Sequence, residues 1–378
     1  MDFNFTEEQK ILKETARAFL ESYCSGGFVL EMEKDEIGYT PELWRRMAEL
    51  GWQALIVPEK YGGVGGNLLD LVVMLEEMGR ACLPGPFFST VALGCLSLLE
   101  AANPDQLQRF LPAIASGKSI WTMAHLEPGT TRYDPFFIQV TAHGHGDGYV
   151  LNGAKIFVPD AHVADYMICV ARTSGRSASR DGITLFAVDC KAPGIHVTPL
   201  NTIAGDKQFE VMFDRVTVPM VNRLGPQDQG GVYLEKILQK CAVCKCAEMV
   251  GGAQRVLDMS TAYAKEREQF GRPIGSFQAV QHHCSNMLIG IEGSRYLTCK
   301  AAWMLKENIP CGKQAAAAKA WVSGTYKEVV RLGHQVLGAT GYMIEHDMPL
   351  FSRRAKMAEM ALGDGRYHRE IVARMSGL

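Results

Sequence analysis

The sequence predicts an α+β multidomain protein with an N-terminal helical domain, a middle antiparallel β domain and a C-terminal four-helix bundle. Apolar residues recur at helical spacing in both end regions, whereas short runs of β-branched and aromatic residues fill the middle. The chain has 378 residues and 47% hydrophobic content, which exceeds the size at which one core usually stops growing. We therefore predict three domains, at residues 1–117, 118–228 and 229–378.

The N-terminal domain is predicted to be helical from its amphipathic segments and its helix signals. Thr40 followed by Pro41 is an N-cap followed by a first-turn proline, and Gly51 ends the same helix. A loop is predicted at the glycine-rich run YGGVGGN. The predicted helices are 5–23, 40–50, 68–82, 89–101 and 104–115.

The middle domain is predicted to be a mostly antiparallel β structure. Its strand candidates are separated by Gly, Asp and Pro, and they read FFIQVTA, YVLNGAKIFV, YMICVA, ITLFAVD and EVMFDRVTV. No helix-length segment alternates with these strands, and no phosphate-binding glycine fingerprint follows one. This argues against a doubly wound nucleotide fold.

The C-terminal domain is predicted to be an up-and-down bundle of four long helices. The helices are expected at 233–266, 278–308, 311–337 and 350–375, and glycine and proline interrupt them in GRPIGS and GATGYMIEHDMP.

Charge and hydropathy exclude several classes of function. The net charge is -2, from 39 basic and 41 acidic residues, so the chain has no field that would gather nucleic acid. The N-terminus has acids among its apolar residues, unlike a signal peptide. The longest apolar runs fall far short of the roughly 20 residues that a membrane span needs. We expect a soluble, cytoplasmic protein.

The cysteines suit a reducing compartment, since there are 11 of them, an odd number scattered along the chain. Cys241, Cys244 and Cys246 lie close enough in sequence to hold a metal. The surrounding lysines, the helical pattern and the lack of a second ligand pair favour the alternative, three small buried apolar residues. We predict no metal site.

Two segments of the C-terminal region closely resemble the acyl-CoA dehydrogenase family. They are YAKEREQFGRPIGSFQAVQH at 263–282 and HQVLGATGYMIEHDMP at 334–349, and the resemblance extends over essentially the whole chain, including EPG at 127–129 and LNGAK at 151–155. In the family, the first segment reaches across a subunit interface to a neighbour's flavin dinucleotide, and the second lies against the flavin's diphosphate. The resemblance implies FAD as cofactor, a tetrameric assembly, and cofactor contacts from Arg267, Gln269, Phe270, Gln335, Gly338 and Ala339.

The residue types suit that role. Arginine offers a planar, permanently charged fork to a phosphate oxygen, and Gly338 and Gly341 permit a ligand to approach the backbone closely.

The family's catalytic base has no carboxylate counterpart in this sequence. Removing the α proton of an acyl thioester requires a base, usually a desolvated carboxylate. The resemblance places the family's usual glutamate at Leu362, before Gly363, and the alternative position on an earlier helix at Cys241. Asp364 is the nearest carboxylate in sequence. It is either an atypical base or the N-cap of the final helix.

Two further positions depart from the family pattern. Where the family commonly places Trp-x-Thr against the flavin, the chain has Phe157, Val158 and Pro159. Phe157 can still stack on a flavin, but Pro159 has no hydrogen to donate. Arg132 stands near the position of a serine beside the pantetheine arm. It is a candidate partner for a substrate carboxylate or a CoA phosphate, or else a surface arginine on a loop.

The segments HLEPGTTRYDP, LEKILQKCAVCKCAEMVGGAQ and LGDGRYHREIVAR look most like small subunits of heteromeric acyl-CoA dehydrogenases of the pimeloyl-CoA-like or steroid type. This resemblance implies an FAD-dependent acyl-CoA dehydrogenase, or a component of one, that oxidises the α,β C–C bond of an acyl-CoA. Candidate substrates include acyl-CoAs with a dicarboxylic or a cyclic acyl chain. The electron acceptor implied is electron-transferring flavoprotein, and the assembly implied is an α2β2 heterotetramer with a paralogous subunit. The alternatives are a homotetramer with an atypical base and a non-catalytic subunit that supports a flavin site.

Overall fold

The computed structural model describes residues 5–378 and confirms the predicted order of helices, sheet and helices. The first four residues of the predicted N-terminal domain lie outside the described part of the chain. The helices are α1 Glu7–Tyr23, α2 Gly26–Lys34, α3 Pro41–Glu49, α4 Leu68–Arg80, α5 Leu96–Ala101, α6 Pro104–Ala115, α7 Gly230–Glu266, α8 Gln278–Lys306, α9 Gly312–Leu337, α10 Met348–Met360 and α11 Gly365–Arg374, with a π-helix at Phe88–Cys95. The strands are β1 Trp121–Ala124, β2 Thr141–His145, β3 Gly148–Pro159, β4 Tyr166–Arg172, β5 Ile183–Asp189, β6 Ile195–Leu200, β7 Gln208–Pro219, β8 Arg223–Leu224, and a separate hairpin of β9 Glu268–Gln269 and β10 Arg272–Pro273.

Side-chain caps fix several helix starts. Thr40 accepts a hydrogen bond from the backbone N–H of Leu43 at 3.3 Å, which confirms the predicted cap of α3. Thr6 and Asn103 form capping boxes at the starts of α1 and α6.

The large sheet has the strand order β6-β7-β3-β2-β4-β5-β8, with β1 pairing to β4. The β1–β4 pair is parallel, as is a single β2–β4 residue pair, and the remaining pairs are antiparallel. The sheet is therefore mostly antiparallel, as predicted. Its core is aliphatic and aromatic, and it includes Leu151, Val158, Met167, Phe186 and Phe213.

The chain forms two compact units. One comprises Met1–Glu31, Leu68–Leu83 and Ala242–Leu378, and the other comprises Met32–Asn67 and Pro84–Cys241. In the first unit α4 packs on α1 and α8, and α9 packs on α8, α10 and α11. In the second unit β1 packs on the π-helix. The domain boundaries near residues 117 and 228 remain predictions.

The predicted helix 350–375 is wrong, because it is broken into α10 and α11. Ala361 is extended, with ψ 134°, and Leu362 and Gly363 are left-handed, with φ values of 59° and 94°. Glycine tolerates such a φ, whereas leucine does not favour it, so the break depends on tertiary contacts.

The segment FFIQVTA and helix α2 also differ from the prediction. The segment FFIQVTA is a strand only from Thr141 onward. Residues 139 and 140 instead donate their backbone N–H groups to the Glu127 carboxylate, and Arg172 donates to the Ile138 carbonyl. Helix α2 was not predicted, because its first two residues are glycines, which disfavour a helix.

Candidate functional site

The predicted cofactor residues Arg267, Gln269 and Phe270 lie on an exposed hairpin immediately after α7. The carbonyl of Arg267 accepts a hydrogen bond from the N–H of Ile274 at 2.8 Å, which closes the hairpin. Phe270 is left-handed, with φ 54°, and the residue is 93% exposed. A phenylalanine exposed to this degree in a strained turn suits contact with another molecule.

The predicted glycine segment begins where α9 ends. Gly338 has φ 59° and ψ -139°, and within residues 5–378 no atom beyond its immediate chain neighbours lies within 4 Å of the point where a side chain would begin. Gln335, Gly338 and Ala339 are all exposed. The backbone here is open to a ligand, and a residue larger than glycine would also be strained.

The structure brings these two cofactor segments together. Tyr263, one turn before Arg267, has its hydroxyl 3.5 Å from the Thr340 hydroxyl. An exposed guanidinium, an exposed aromatic ring and an open glycine backbone therefore belong to one neighbourhood of the first unit.

The turn at Leu362 lies between α10 and α11. Leu362 is only 7% exposed, and its carbonyl oxygen is 2.9 Å from the Nε2 atom of buried His368. Burial lowers the pKa of His368 to about 4, so the ring is neutral near pH 7. Asp364 accepts a hydrogen bond from the N–H of Tyr367 at 2.8 Å and is the N-cap of α11. One of its carboxylate oxygens is thus engaged in helix capping.

Sequence reasoning missed Lys319, whose side chain is fully buried on α9. Its Nζ atom donates to the carbonyl oxygens of Ala358, Glu359 and Gly363 at 3.0–3.1 Å. Burial lowers the pKa of Lys319 to about 8. The available signal was a lone lysine in the apolar run AAAAKAWV, since a lysine is almost never fully buried without a specific partner.

The predicted flavin-stacking residue Phe157 lies on β3 in the second unit. Its φ is 52°, its side chain is 51% exposed, and the register with β7 shifts between Lys155 and Val158. Such an irregularity re-aims a side chain, so Phe157 is presented outward while Val158 stays buried. The Pro159 carbonyl accepts a hydrogen bond from Thr122 at 2.5 Å.

A buried ion pair anchors the EPG segment of the second unit. The Glu127 carboxylate lies 2.6 Å from the Lys155 Nζ atom, and both side chains are essentially inaccessible. Lys155 also donates to the carbonyl of His125 at 3.3 Å. Burial, together with the nearby ammonium, lowers the pKa of His125 to about 3. The ring is therefore neutral, and its Nε2 atom has no hydrogen-bond partner within residues 5–378.

Arg132 follows this segment on an exposed turn. Its backbone N–H donates to the Thr130 hydroxyl at 3.2 Å, and its carbonyl accepts from the same hydroxyl at 2.7 Å. Within the described residues its guanidinium makes no hydrogen bond or ion pair, so it is available to an anion.

The three clustered cysteines are buried on α7, and Cys241 donates its thiol to the Ala92 carbonyl in the π-helix at 3.1 Å. Burial raises the pKa of Cys246 to about 12, so this thiol stays protonated. Among residues 5–378 no group of three or more His, Cys, Asp or Glu side chains is arranged to hold a metal. In that same range no helix is both long and apolar enough to cross a membrane.

Family models match nearly the whole chain. The acyl-CoA dehydrogenase N-terminal domain matches residues 6–118, the middle domain matches 122–216 and the C-terminal domain matches 228–377. A probable acyl-CoA dehydrogenase of Bacillus subtilis is 32% identical over 380 residues, which cover 99% of each chain.

The chain belongs to the acyl-CoA dehydrogenase family. The predicted enzyme class and the FAD cofactor are thereby confirmed.

Two further proteins that are similar to this chain are named as parts of complexes. A subunit of the caffeyl-CoA reductase-Etf complex of Acetobacterium woodii is 29% identical over 98% of each chain. The structure of the ChsE4-ChsE5 complex from Mycobacterium tuberculosis contains a chain that is 28% identical, with a TM-score of 0.90, and the match covers 100% of this chain and 99% of that one. Acyl-CoA dehydrogenase relatives thus include parts of larger complexes.

Proposed function

We propose that this acyl-CoA dehydrogenase is an FAD-binding subunit that works with a paralogous subunit in an α2β2 assembly, oxidising the α,β C–C bond of an acyl-CoA. The observation that carries the proposal is Leu362. The resemblance to the family places the base there, and leucine cannot accept a proton. Cys241, at the alternative position, donates its thiol to a carbonyl. The missing carboxylate is then supplied by the partner.

The exposed segments of the first unit fit FAD chemically. Arg267 matches an anionic diphosphate, Phe270 matches an aromatic ring system, and the open backbone at Gly338 allows close approach. FAD, when bound, accepts the hydride that leaves the substrate's β carbon. The other residues proposed to contact the cofactor are Gln269, Gln335 and Ala339.

In the second unit, exposed Phe157 is the proposed stacking residue for the flavin. Pro159 has neither an N–H nor a hydroxyl, so it cannot donate a hydrogen bond to a flavin nitrogen. The Glu127–Lys155 pair is proposed to hold the neighbouring backbone in place, because both charges are buried and multiply bonded.

The substrate is proposed to carry an anionic group that reaches Arg132, either a carboxylate on a dicarboxylic chain or a phosphate of CoA. The exposed guanidinium and its hydroxyl-braced turn support this role. Electron-transferring flavoprotein is proposed as the acceptor, in view of the relative from an Etf complex. The ChsE4-ChsE5 relative supports the heteromeric assembly.

A homotetramer that uses Asp364 as an atypical base is the alternative. It is supported by the position of this half-buried carboxylate, two residues beyond Leu362, with only one oxygen engaged by the helix cap.

The deciding experiment records the absorbance spectrum and the solution mass of the chain expressed alone and with a glutamate-bearing paralogue. Flavin that is retained, and bleached by acyl-CoA, only in the co-expressed complex is the expected result. A homotetramer with bound flavin that acyl-CoA bleaches would favour the Asp364 alternative. A stable oligomer that binds no flavin and does not associate with a paralogue would show that the chain is non-catalytic.

The cofactor contacts can be tested on the hairpin itself. Arg267→Ala is expected to lower the bound flavin at least tenfold, because it removes the phosphate partner. Arg272→Ala is the matched control, since Arg272 lies on the same hairpin with its guanidinium 4.2 Å from the Phe277 ring centroid. Equal flavin content in both variants would remove Arg267 from the site.

A further inference from the structure

The Lys319 ammonium donates hydrogen bonds to backbone carbonyls on both sides of Leu362. Its Nζ atom donates to Ala358 at 3.1 Å and to Glu359 at 3.0 Å, both in the last turn of α10, and to Gly363 at 3.0 Å, just beyond the turn. The last carbonyls of a helix have no partner within it. One ammonium therefore satisfies the end of α10 and ties it to the residue that follows Leu362.

The carbonyl of Leu362 is held from the other side. His368 lies on α11, and its Nε2 atom is 2.9 Å from the Leu362 oxygen. The ring is neutral near pH 7 and carries one hydrogen, which is assigned to Nε2 because a carbonyl oxygen can only accept. Asp364 fixes the start of α11 through Tyr367. Both ends of the turn and its central carbonyl thus have defined partners.

The leucine side chain at position 362 does not account for the left-handed backbone conformation of this residue. Its φ is 59°, a left-handed value that costs free energy for any residue with a β carbon. Leucine has no polar group that would favour such a turn, unlike asparagine or aspartate. The contacts from Lys319 and His368 reach only backbone atoms of the turn, so they act whatever side chain stands at position 362.

We propose that Lys319 is a positioning residue that holds position 362 in a preformed left-handed turn, so that the chain keeps the backbone of a base site after losing the carboxylate. The inference rests on the proposed function only in taking position 362 as the base position. A glutamate at position 362 is expected to adopt the same turn.

Amide hydrogen exchange of the purified protein tests the holding role without any activity. Lys319→Met is expected to speed exchange at residues 361–365 at least tenfold more than it speeds exchange in α9, where any rise reports the loss of global stability. Lys327→Met is the matched control, because Lys327 lies on the same helix and pairs with the Glu359 carboxylate rather than with backbone carbonyls. Its exchange at 361–365 is expected to stay within twofold of the parent.

Unchanged exchange at 361–365 in Lys319→Met, or an equal rise throughout α9, α10 and α11, would overturn the proposal. If Lys319→Met does not fold, Lys319→Gln is measured instead. Its amide retains only two N–H donors for three carbonyls, so exchange at 361–365 is expected to rise by a smaller factor, at least threefold more than in α9, and an unchanged rate would overturn the proposal.

The second experiment measures the flavin-loaded protein. Where loading requires the paralogue, the paralogue's own glutamate is replaced by glutamine, so that its site contributes no bleaching. Leu362→Glu is expected to create flavin bleaching by acyl-CoA in this chain's own site. Adding Lys319→Met is expected to slow bleaching at least tenfold while the affinity for acyl-CoA stays within threefold, and Lys327→Met is expected to slow it less than twofold. Equal bleaching rates with and without Lys319 would overturn the positioning role.

The two proposals fail separately. If Leu362→Glu gives no bleaching while Lys319→Met still speeds exchange at the turn, the missing base is not at position 362 and the proposed function is wrong. The holding role of Lys319 then stands.

Discussion

Two lysines with fully buried side chains, one in each compact unit, hold segments that carry predicted site residues. Lys155 on β3 lies 2.6 Å from the Glu127 carboxylate and beside the His125 carbonyl. The hydrogen-bond acceptors of Lys319 on α9, within the part of the chain that the structure describes, are all neutral: three backbone carbonyls and the Ser323 hydroxyl. The first charge is neutralised by an opposite charge, whereas the second is solvated by dipoles alone.

The difference shows two ways to keep an ammonium buried. A paired charge makes each partner dependent on the other, because removal of one leaves the other uncompensated in a dry interior. An ammonium at a helix C-terminus is favoured by the aligned carbonyls but has no full negative charge beside it. Burial accordingly lowers the pKa of Lys319 to about 8. The stability that Lys319 contributes should therefore change with pH above about pH 8. The segment held by Lys155 depends instead on the ion pair with Glu127.

The largest effect is expected when the ion pair is broken. Lys155→Met leaves the Glu127 carboxylate buried without its cation and is expected to cost about 4 kcal/mol of unfolding free energy. Urea unfolding measures this value. The double variant Lys155→Met with Glu127→Gln is expected to recover part of the lost stability, because no isolated charge remains. If the double variant is no more stable than Lys155→Met alone, the loss does not come from a buried unpaired carboxylate.

Lys319→Met is expected to cost less, about 3 kcal/mol. It leaves carbonyl groups without donors but strands no charge. The same urea unfolding measurement compares it with Lys327→Met. Lys327 is half-exposed and Lys356 still pairs with the Glu359 carboxylate when Lys327 is removed, so this variant should cost about 1 kcal/mol or less. A loss in Lys319→Met larger than that in Lys155→Met would reverse the comparison.

The pH dependence of Lys319 has a defined sign. Its pKa is about 8 in the folded protein and 10.5 as the ordinary value, so between these pH values the unfolded chain binds more protons and folding becomes more favourable as pH rises. The parent should gain about 1 kcal/mol over Lys319→Met from pH 8.5 to pH 9.5. A constant difference across this window would show that the pKa is not lowered.

The smallest effect is expected at the helix cap after the turn. Asp364→Ala removes the acceptor for the Tyr367 N–H and is expected to cost about 1 kcal/mol, with flavin bleaching by the complex unchanged. Asp364→Asn is the control, since its side-chain oxygen still caps the helix. Loss of bleaching in both variants would instead identify Asp364 as the base.

The sequence by itself determined the fold order, the family and the cofactor class. Helical and β periodicities are local properties of the sequence. The N-cap at Thr40 was also predictable, because its hydroxyl accepts a hydrogen bond from a backbone N–H only three residues later. The absence of a carboxylate at Leu362 and Cys241 was likewise readable, given the resemblance to the family.

Only the tertiary structure decided how the turn at Leu362 is formed and held. The sequence pattern predicted one helix over 350–375, because nothing local forbids it before Gly363. The break is imposed by Lys319, 43 residues earlier by the numbering of the chain, and by His368 from the next helix. Burial of a lysine among carbonyls depends on which elements pack together, and no local pattern in the sequence contains that information.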